Sequence, residues 1–301
     1  MVALQKINDS MFDDIYREFL VDDDPDLTRD DWQRLFECRT ETGQDCAGYA
    51  LVDGSKIGGI LGMLFNNRHV DGNERKFCSL HTWMVDPEYR GHSLLMMRPA
   101  MRLSDHTVND FTPTTPVQRL SKRLGFKELD SALRVMLPYG GFGAKKENVE
   151  FLSDRESVQA QLTGDDLKFF HDHQMPHIGH LLCSAGSDHC YLIYSRVTRW
   201  RLPYCHVHYI SDPSIFAKNS IAIRKQILKK ESVNVLVGND RQLGRFRLPR
   251  SFRFTFTNGH LYRSKTTSPD QIDSLYSDIA HLNLTTVNAM SAVIKEKIRW
   301  Q

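Results

Sequence analysis

The stretch "WMVDPEYRGHSLL", residues 83–95, decides the fold. Trp83, Met84 and Val85 finish an apolar strand. Asp86 and Pro87 then open a turn, because proline is pre-set for the first helical position and aspartate caps well. Leu94 and Leu95 begin the apolar face of a helix. The reading is strand, turn, helix. A helix N-terminus after a strand presents unpaired N–H groups and the positive end of a dipole, which suits a pyrophosphate. Arg90 adds a cation, and Gly91 lets the backbone come close to a ligand. A plain connection without a ligand carries much of the same signature.

Outward from this stretch, the pattern alternates between helix and strand. "MFDDIYREFLV", with Ser10 as its cap, and "DWQRLFECR" read as two helices, their apolar residues recurring on one face. "GYALVDGSKIGGILGMLF" reads as a β-hairpin turning at "DGS", and "KFCSLHTWMV" as the next strand. A helix "LLMMRPAMRL", irregular at Pro99, a strand "TVNDFTP", a helix "TPVQRLSKRLGF" and a strand "ELDSALRVMLPY" complete the series. The class is α/β, helices layered on a mixed sheet.

After "YGGFGAKKEN" the pattern begins again. "CSLHTWMVDP" (78–87) matches "CHVHYISDP" (205–213), with Cys78 and His81 offset by 127 from Cys205 and His208. Asp86 and Pro87 are offset by 126 from Asp212 and Pro213, and Val108 and Asn109 by 125 from Val233 and Asn234. "GYALVDGSKIGGIL" also resembles "GHLLCSAGSDHCYLI". Four ordered matches point to a tandem duplication, with lobes at 1–140 and 141–301. One residue is lost between His208 and Asp212 relative to His81 and Asp86. An extra strand residue is what a β-bulge requires, so a bulge is expected in the first copy and none in the second.

The 301 residues are 41% apolar and 25% charged with a formal net charge of +2, enough apolar residue for a real core. No run of about 18 apolar residues suggests a membrane span, and the beginning of the chain has no apolar signal-peptide segment. The six cysteines, Cys38, Cys46, Cys78, Cys183, Cys190 and Cys205, form no CxxC pair and read as reduced, buried thiols. The expected location is cytoplasmic.

"YALVDGSKIGGILG", "WMVDPEYRGHSLL" and "TPVQRLSKRLGFKELD" together resemble the GNAT superfamily of acyl-CoA N-acyltransferases, over about residues 5–138. The paired arrangement resembles the double-GNAT architecture of Fem-type transferases, mycothiol synthase and myristoyl transferases. The resemblance implies acetyl-CoA or another acyl-CoA as acyl donor and an amine of a small molecule as acceptor. It places the pyrophosphate on Arg90, Gly91, His92, Ser93, Leu94 and Leu95, with Ser93 and Leu95 standing where the family has glycine. It also implies a thioester carbonyl polarised by the amide of Met84 or Val85, as an oxyanion-type donor. The family's acidic tyrosine position falls on Ser121, and no glutamate occupies the central strand, which leaves His81 as the candidate base. Only the first lobe is expected to bind acyl-CoA.

Three further readings come from the residues. His171, His173, His177 and His180 crowd together, but their spacing fits no common zinc pattern, and no metal is expected. Arg241, Arg245, Arg247 and Arg250 could meet a phosphate. Without an aromatic RNA-reading signature, nucleic acid is a minority partner. The rival functions are a Fem-like transfer from aminoacyl-tRNA and a silent ligand-binding GNAT pair. The sequence does not fix the oligomeric state.

Overall fold

The computed structural model describes residues 1–37, 42, 46–138, 149–198 and 203–285. Cys38 and the "YGGFGAKKEN" stretch, on which the lobe boundary falls, lie outside them. The chain forms two compact units. The first holds Met1–Leu129, His260–Gln271 and Tyr276–Leu282; the second holds Asp130–Gly259, Ile272–Leu275 and Asn283–Gln301. The units are therefore not two consecutive halves, since the chain returns to the first unit after residue 259.

In the first unit the order is β1 (Val2–Lys6), α1 (Phe12–Ile15), α2 (Arg29–Glu37), β2 (Gly48–Asp53), β3 (Lys56–Val70), β4 (Asn73–Val85), α3 (Ser93–Arg102), β5 (His106–Asp110), α4 (Thr115–Arg123) and the start of β6 (Lys127–Met136). Strand β1 is an addition to the sequence reading, which begins with a helix. Ser10 does not cap that helix; its Oγ donates to Asn8 Oδ1 at 2.6 Å. Strands β1 to β4 are antiparallel, and β4 runs parallel to β5.

The second unit continues with β7 (Glu150–Leu152), α5 (Arg155–Gln161), α6 (Gly164–Asp172), β8 (Ile178–Ala185), β9 (Asp188–Val197), β10 (Tyr204–Ile210), α7 (Pro213–Lys218), α8 (Ser220–Glu231), β11 (Leu236–Asn239) and β12 (Ser251–Arg263). The last residues of β12, Leu261–Arg263, pair antiparallel with β5 in the first unit's sheet. Thr107 on β5 fixes the returning segment, its Oγ1 lying 2.8 Å from the hydroxyls of both Ser264 and Thr267. A last short helix, α9 (Asp278–His281), also belongs to the first unit.

The two units repeat local devices. Each has a hairpin turning on Gly-Ser, with Gly54 at φ 63° and Gly186 at φ 68°, the positive φ that glycine adopts at no steric cost. Each has an Asp-Pro helix start: the Asp86 carboxylate accepts from Glu88 N–H, and that of Asp212 from Ser214 and Ile215 N–H. The register corrects one sequence match. Cys78 pairs with Val108 and Cys205 with Leu236, so if the two cysteines are equivalent the counterpart of Val108 is Leu236 and not Val233. Helix α4 has no counterpart; turns holding Arg245, Arg247 and Arg250 follow β11 instead.

The first unit's core lies between the sheet and α3. Leu51, Leu61, Cys78, Leu80, Met96, Met97, Ala100 and Val108 are all buried there. The "GGILG" glycines of β3 make room for rings, that of His81 on the face away from α3 and that of Tyr89 against the α3 core. A Cβ on Gly62 would stand 2.1 Å from the His81 imidazole, and one on Gly58 would stand 2.5 Å from the Tyr89 ring. Gly62→Ala must displace a buried ring in a packed layer, and we expect it to cost about 1–3 kcal/mol, read as a lowered denaturation midpoint. An unchanged midpoint would show that the His81 ring is free to move.

Five of the cysteines (Cys46, Cys78, Cys183, Cys190 and Cys205) are buried and not joined in disulfides. Burial pushes the Cys78 and Cys205 thiols far up and that of Cys190 up to about 12, so they pack as small apolar groups. Among the described residues no helix is long and apolar enough to cross a membrane.

Candidate functional site

The decisive geometry is where β4 leaves β5. The two run parallel and in register from Lys76 opposite His106 to Leu80 opposite Asp110, and there the pairing ends. On its other edge β4 stays paired with β3, but the register steps from His81 opposite Gly62 to Met84 opposite Ile60. Two residues of β4, Thr82 and Trp83, stand opposite one of β3, Leu61, which is a bulge. Thr82 carries the deformation with φ 49°, a left-handed value that costs a β-branched residue on the order of 1–3 kcal/mol. Beyond the bulge the edge of β4 that faced β5 has no strand partner among the described residues, since β5 ends at Asp110.

That edge presents one backbone donor. Asp86 N–H donates to Gly58 C=O at 3.0 Å. Because amides alternate along an antiparallel ladder, those of Met84 and Asp86 turn to β3 and that of Val85 turns away, to the edge of β4 that β5 does not reach.

The second unit corrects the expectation that it lacks a bulge. Between β10 and β9 the register steps from Val207 opposite Tyr194 to Tyr209 opposite Ile193, which leaves His208 as an extra residue. Its parallel pairing with β11 also stops there, at Val207 opposite Gly238. The lost residue falls after the bulge, and its loss does not remove it.

His81 is 4% exposed, its Nδ1 lies 2.9 Å from Thr82 Oγ1 and its ring meets Phe36 edge-on. Burial pulls its pKa down to about 3. A base that weak takes a proton from an ammonium poorly, and the ring instead buttresses the bulge. Ser121, 1% exposed, is enclosed within the fold.

Residues Pro87–His92 form a 3-10 helix leading into α3. Tyr89 N–H donates to Asp86 C=O and Ser93 N–H to Arg90 C=O, so of the amides expected to hold a pyrophosphate that of Ser93 has a partner within the turn. Arg90, Gly91 and His92 are exposed, Leu94 is 53% exposed, and Ser93 and Leu95 are half-buried. Arg90 has no ion-pair partner among the described residues, and the space beside Gly91 is open.

Sequence reasoning missed a pair of buried carboxylates in this unit. Asp110 ends β5, 7% exposed, and Asp278 opens α9, 5% exposed. Thr112 joins them: its N–H donates to Asp110 and its hydroxyl to Asp278 Oδ2. Burial, and then the neighbouring Asp278 charge, push Asp110 up to about 8; burial pushes Asp278 up to about 6. At neutral pH the pair holds about one proton. The position matching Asp110 in the second unit is Gly238.

On the α1 side, a pocket of about 330 Å³ is lined by Glu18, Phe19, Ile57 and the chain from Met84 to Pro87.

The remaining candidates are structural. His173 Nδ1 and Nε2 lie 2.8 Å from Phe169 O and 3.1 Å from Leu275 O, and His180 contacts the Tyr191 hydroxyl and His173 O. Among the described residues no three His, Cys, Asp or Glu groups could hold a metal ion. Arg241 is turned inward, donating to Ile272 C=O at 2.6 Å.

No protein-family profile matches the chain, and no curated protein does. Solved structures do match. A GCN5-related N-acetyltransferase from Anabaena variabilis ATCC 29413 has 12% identity and a TM-score of 0.56, over 87% of this chain and 72% of that one. Another from Kribbella flavida has 14% identity and a TM-score of 0.56, over 88% and 71%. The fold is that of the GCN5-related N-acetyltransferases. Eis1 from Mycobacterium abscessus, at 12% identity and TM-score 0.50 over 88% of this chain and 73% of its own, shares this acetyltransferase fold.

Proposed function

We propose that the chain is an acyl-CoA-dependent N-acyltransferase, that acetyl-CoA is the acyl donor, and that a small amine is the acceptor. The observation that carries this is the β4 bulge, which leaves the Val85 amide on the edge of β4 beyond the end of β5, where an acyl-CoA would lie as in the fold's cofactor cleft. A thioester carbonyl set against that amide would have its developing oxyanion stabilised. The pyrophosphate would rest on Arg90 and the amides from Gly91 to Leu95. Short 3-10 hydrogen bonds have poor geometry, so exchanging them for phosphate oxygens costs little.

The Asp110–Asp278 pair suits the proton traffic better than His81, acting through a relay, since Asp110 lies opposite Leu80, five residues along β4 from Val85. As the carbon–nitrogen bond forms and the carbon–sulfur bond breaks, the ammonium gives up two protons. One ends on the thiol sulfur and the other leaves to solvent, and a pair holding one proton near neutrality can both take and give. The second unit has a bulge too but neither this pair nor an arginine-glycine turn. We read it as a degenerate second copy of the first, arisen by tandem duplication, that supports the first without reacting.

Isothermal titration with acetyl-CoA tests the assignment. Arg90→Glu is expected to weaken binding about tenfold or more, through lost attraction and added repulsion, whereas Lys218→Glu in the second unit leaves it unchanged. Loss with Lys218→Glu alone would move the cofactor site to the second unit.

A further inference from the structure

The pocket beside Val85 lies under a local irregularity. Tyr16–Leu20 is a π-helical turn, closed by Val21 N–H donating to Tyr16 C=O at 3.0 Å. Such turns are rare, disturb the regular spacing of a helix, and recur at functional sites. This one carries Glu18 and Phe19, which line the pocket together with Met84 and Val85. At about 330 Å³ the pocket is the size of a small-ligand site.

Its chemistry is one-sided. No lysine or arginine is on its walls. Asp86, also on the lining, is engaged by Glu88 N–H and by Lys56 at 3.3 Å. Glu18 is paired with Arg17 at 3.3 Å, and both side chains are about half exposed or more, at 48% and 65%. An ion pair so open to water is weak, and Arg17 also binds Asp14, so Glu18 can exchange its partner for a cation in the pocket. Phe19, Ile57 and Met84 supply an apolar remainder.

We propose that this pocket binds the acyl acceptor, and that the acceptor is a primary amine on an uncharged, apolar body, its ammonium held by Glu18 and its body against Phe19, Ile57 and Met84. The inference rests on the acyltransferase reading, because the pocket borders the strand whose Val85 amide that reading uses. It narrows the acceptor: nucleotides, phosphosugars and tRNA carry the wrong charge for these walls.

The test is isothermal titration of the full chain, without acyl-CoA, using 2-phenylethylamine as probe and 3-phenylpropionate as its anionic counterpart. The amine is expected to bind and the acid not to. Glu18→Gln, isosteric and half exposed, is expected to weaken amine binding about tenfold or more, the scale of a charge-assisted hydrogen bond. No binding of the amine, tighter binding of the acid, or equal amine affinity in Glu18→Gln overturns the proposal. A protein that binds the amine but not acetyl-CoA in a separate titration would keep the pocket and sink the acyltransferase reading instead.

Discussion

Replacing Val85 by proline is expected to slow acyl transfer by about 100-fold or more, the usual effect of deleting one oxyanion donor. The measurement is thiol release from acetyl-CoA with 2-phenylethylamine as acceptor. Proline suits this position because Val85 N–H points away from the β3 ladder, so no sheet hydrogen bond is lost. Val85→Ala separates the two roles of the residue. It keeps the amide and loses methyl groups packed against the α3 core, so it is expected to lower stability by about 1 kcal/mol with little change in rate. Equal rates in the two variants would remove the amide from the mechanism.

Asp110→Asn gives the second large effect, and its sign depends on pH. The folded chain holds the Asp110 proton up to about pH 8, whereas an unfolded chain releases it in the ordinary carboxyl range. The contribution of this group to stability is complete below that range and is lost as pH rises toward 8. Asparagine does not titrate and still accepts the Thr112 N–H. The melting temperature of the variant relative to wild type should therefore rise from pH 4 to pH 8.5, reflecting on the order of a few kcal/mol. Transfer activity should fall about 100-fold through loss of the proton relay. A melting-temperature difference that does not change with pH would show that Asp110 is ionised in the folded state.

What was legible in the sequence was local chemistry. Gly54 and Gly186 mark hairpins, and Asp86-Pro87 and Asp212-Pro213 mark helix starts, because each device needs those residues at those positions. Neither bulge was legible: the extra residue read as the sign of one in β4 lies beyond it, because comparing two copies counts only their difference, while a bulge is defined against the neighbouring strand. The mismatch of Val108 with Val233 has a similar cause: a short apolar strand can slide along a short motif, and only hydrogen-bonded register fixes it. The carboxylate pair left no trace, since Asp110 and Asp278 are far apart in the chain and meet only because residues 276–282 return to the first unit.

The central claim is that acyl-CoA occupies the first unit's cleft and not the second's. Amide hydrogen exchange of the full chain with and without coenzyme A tests it most directly. Protection is predicted from Trp83 to Leu95, with residues 206–213 unchanged. Protection confined to 206–213, or none anywhere, would contradict the account.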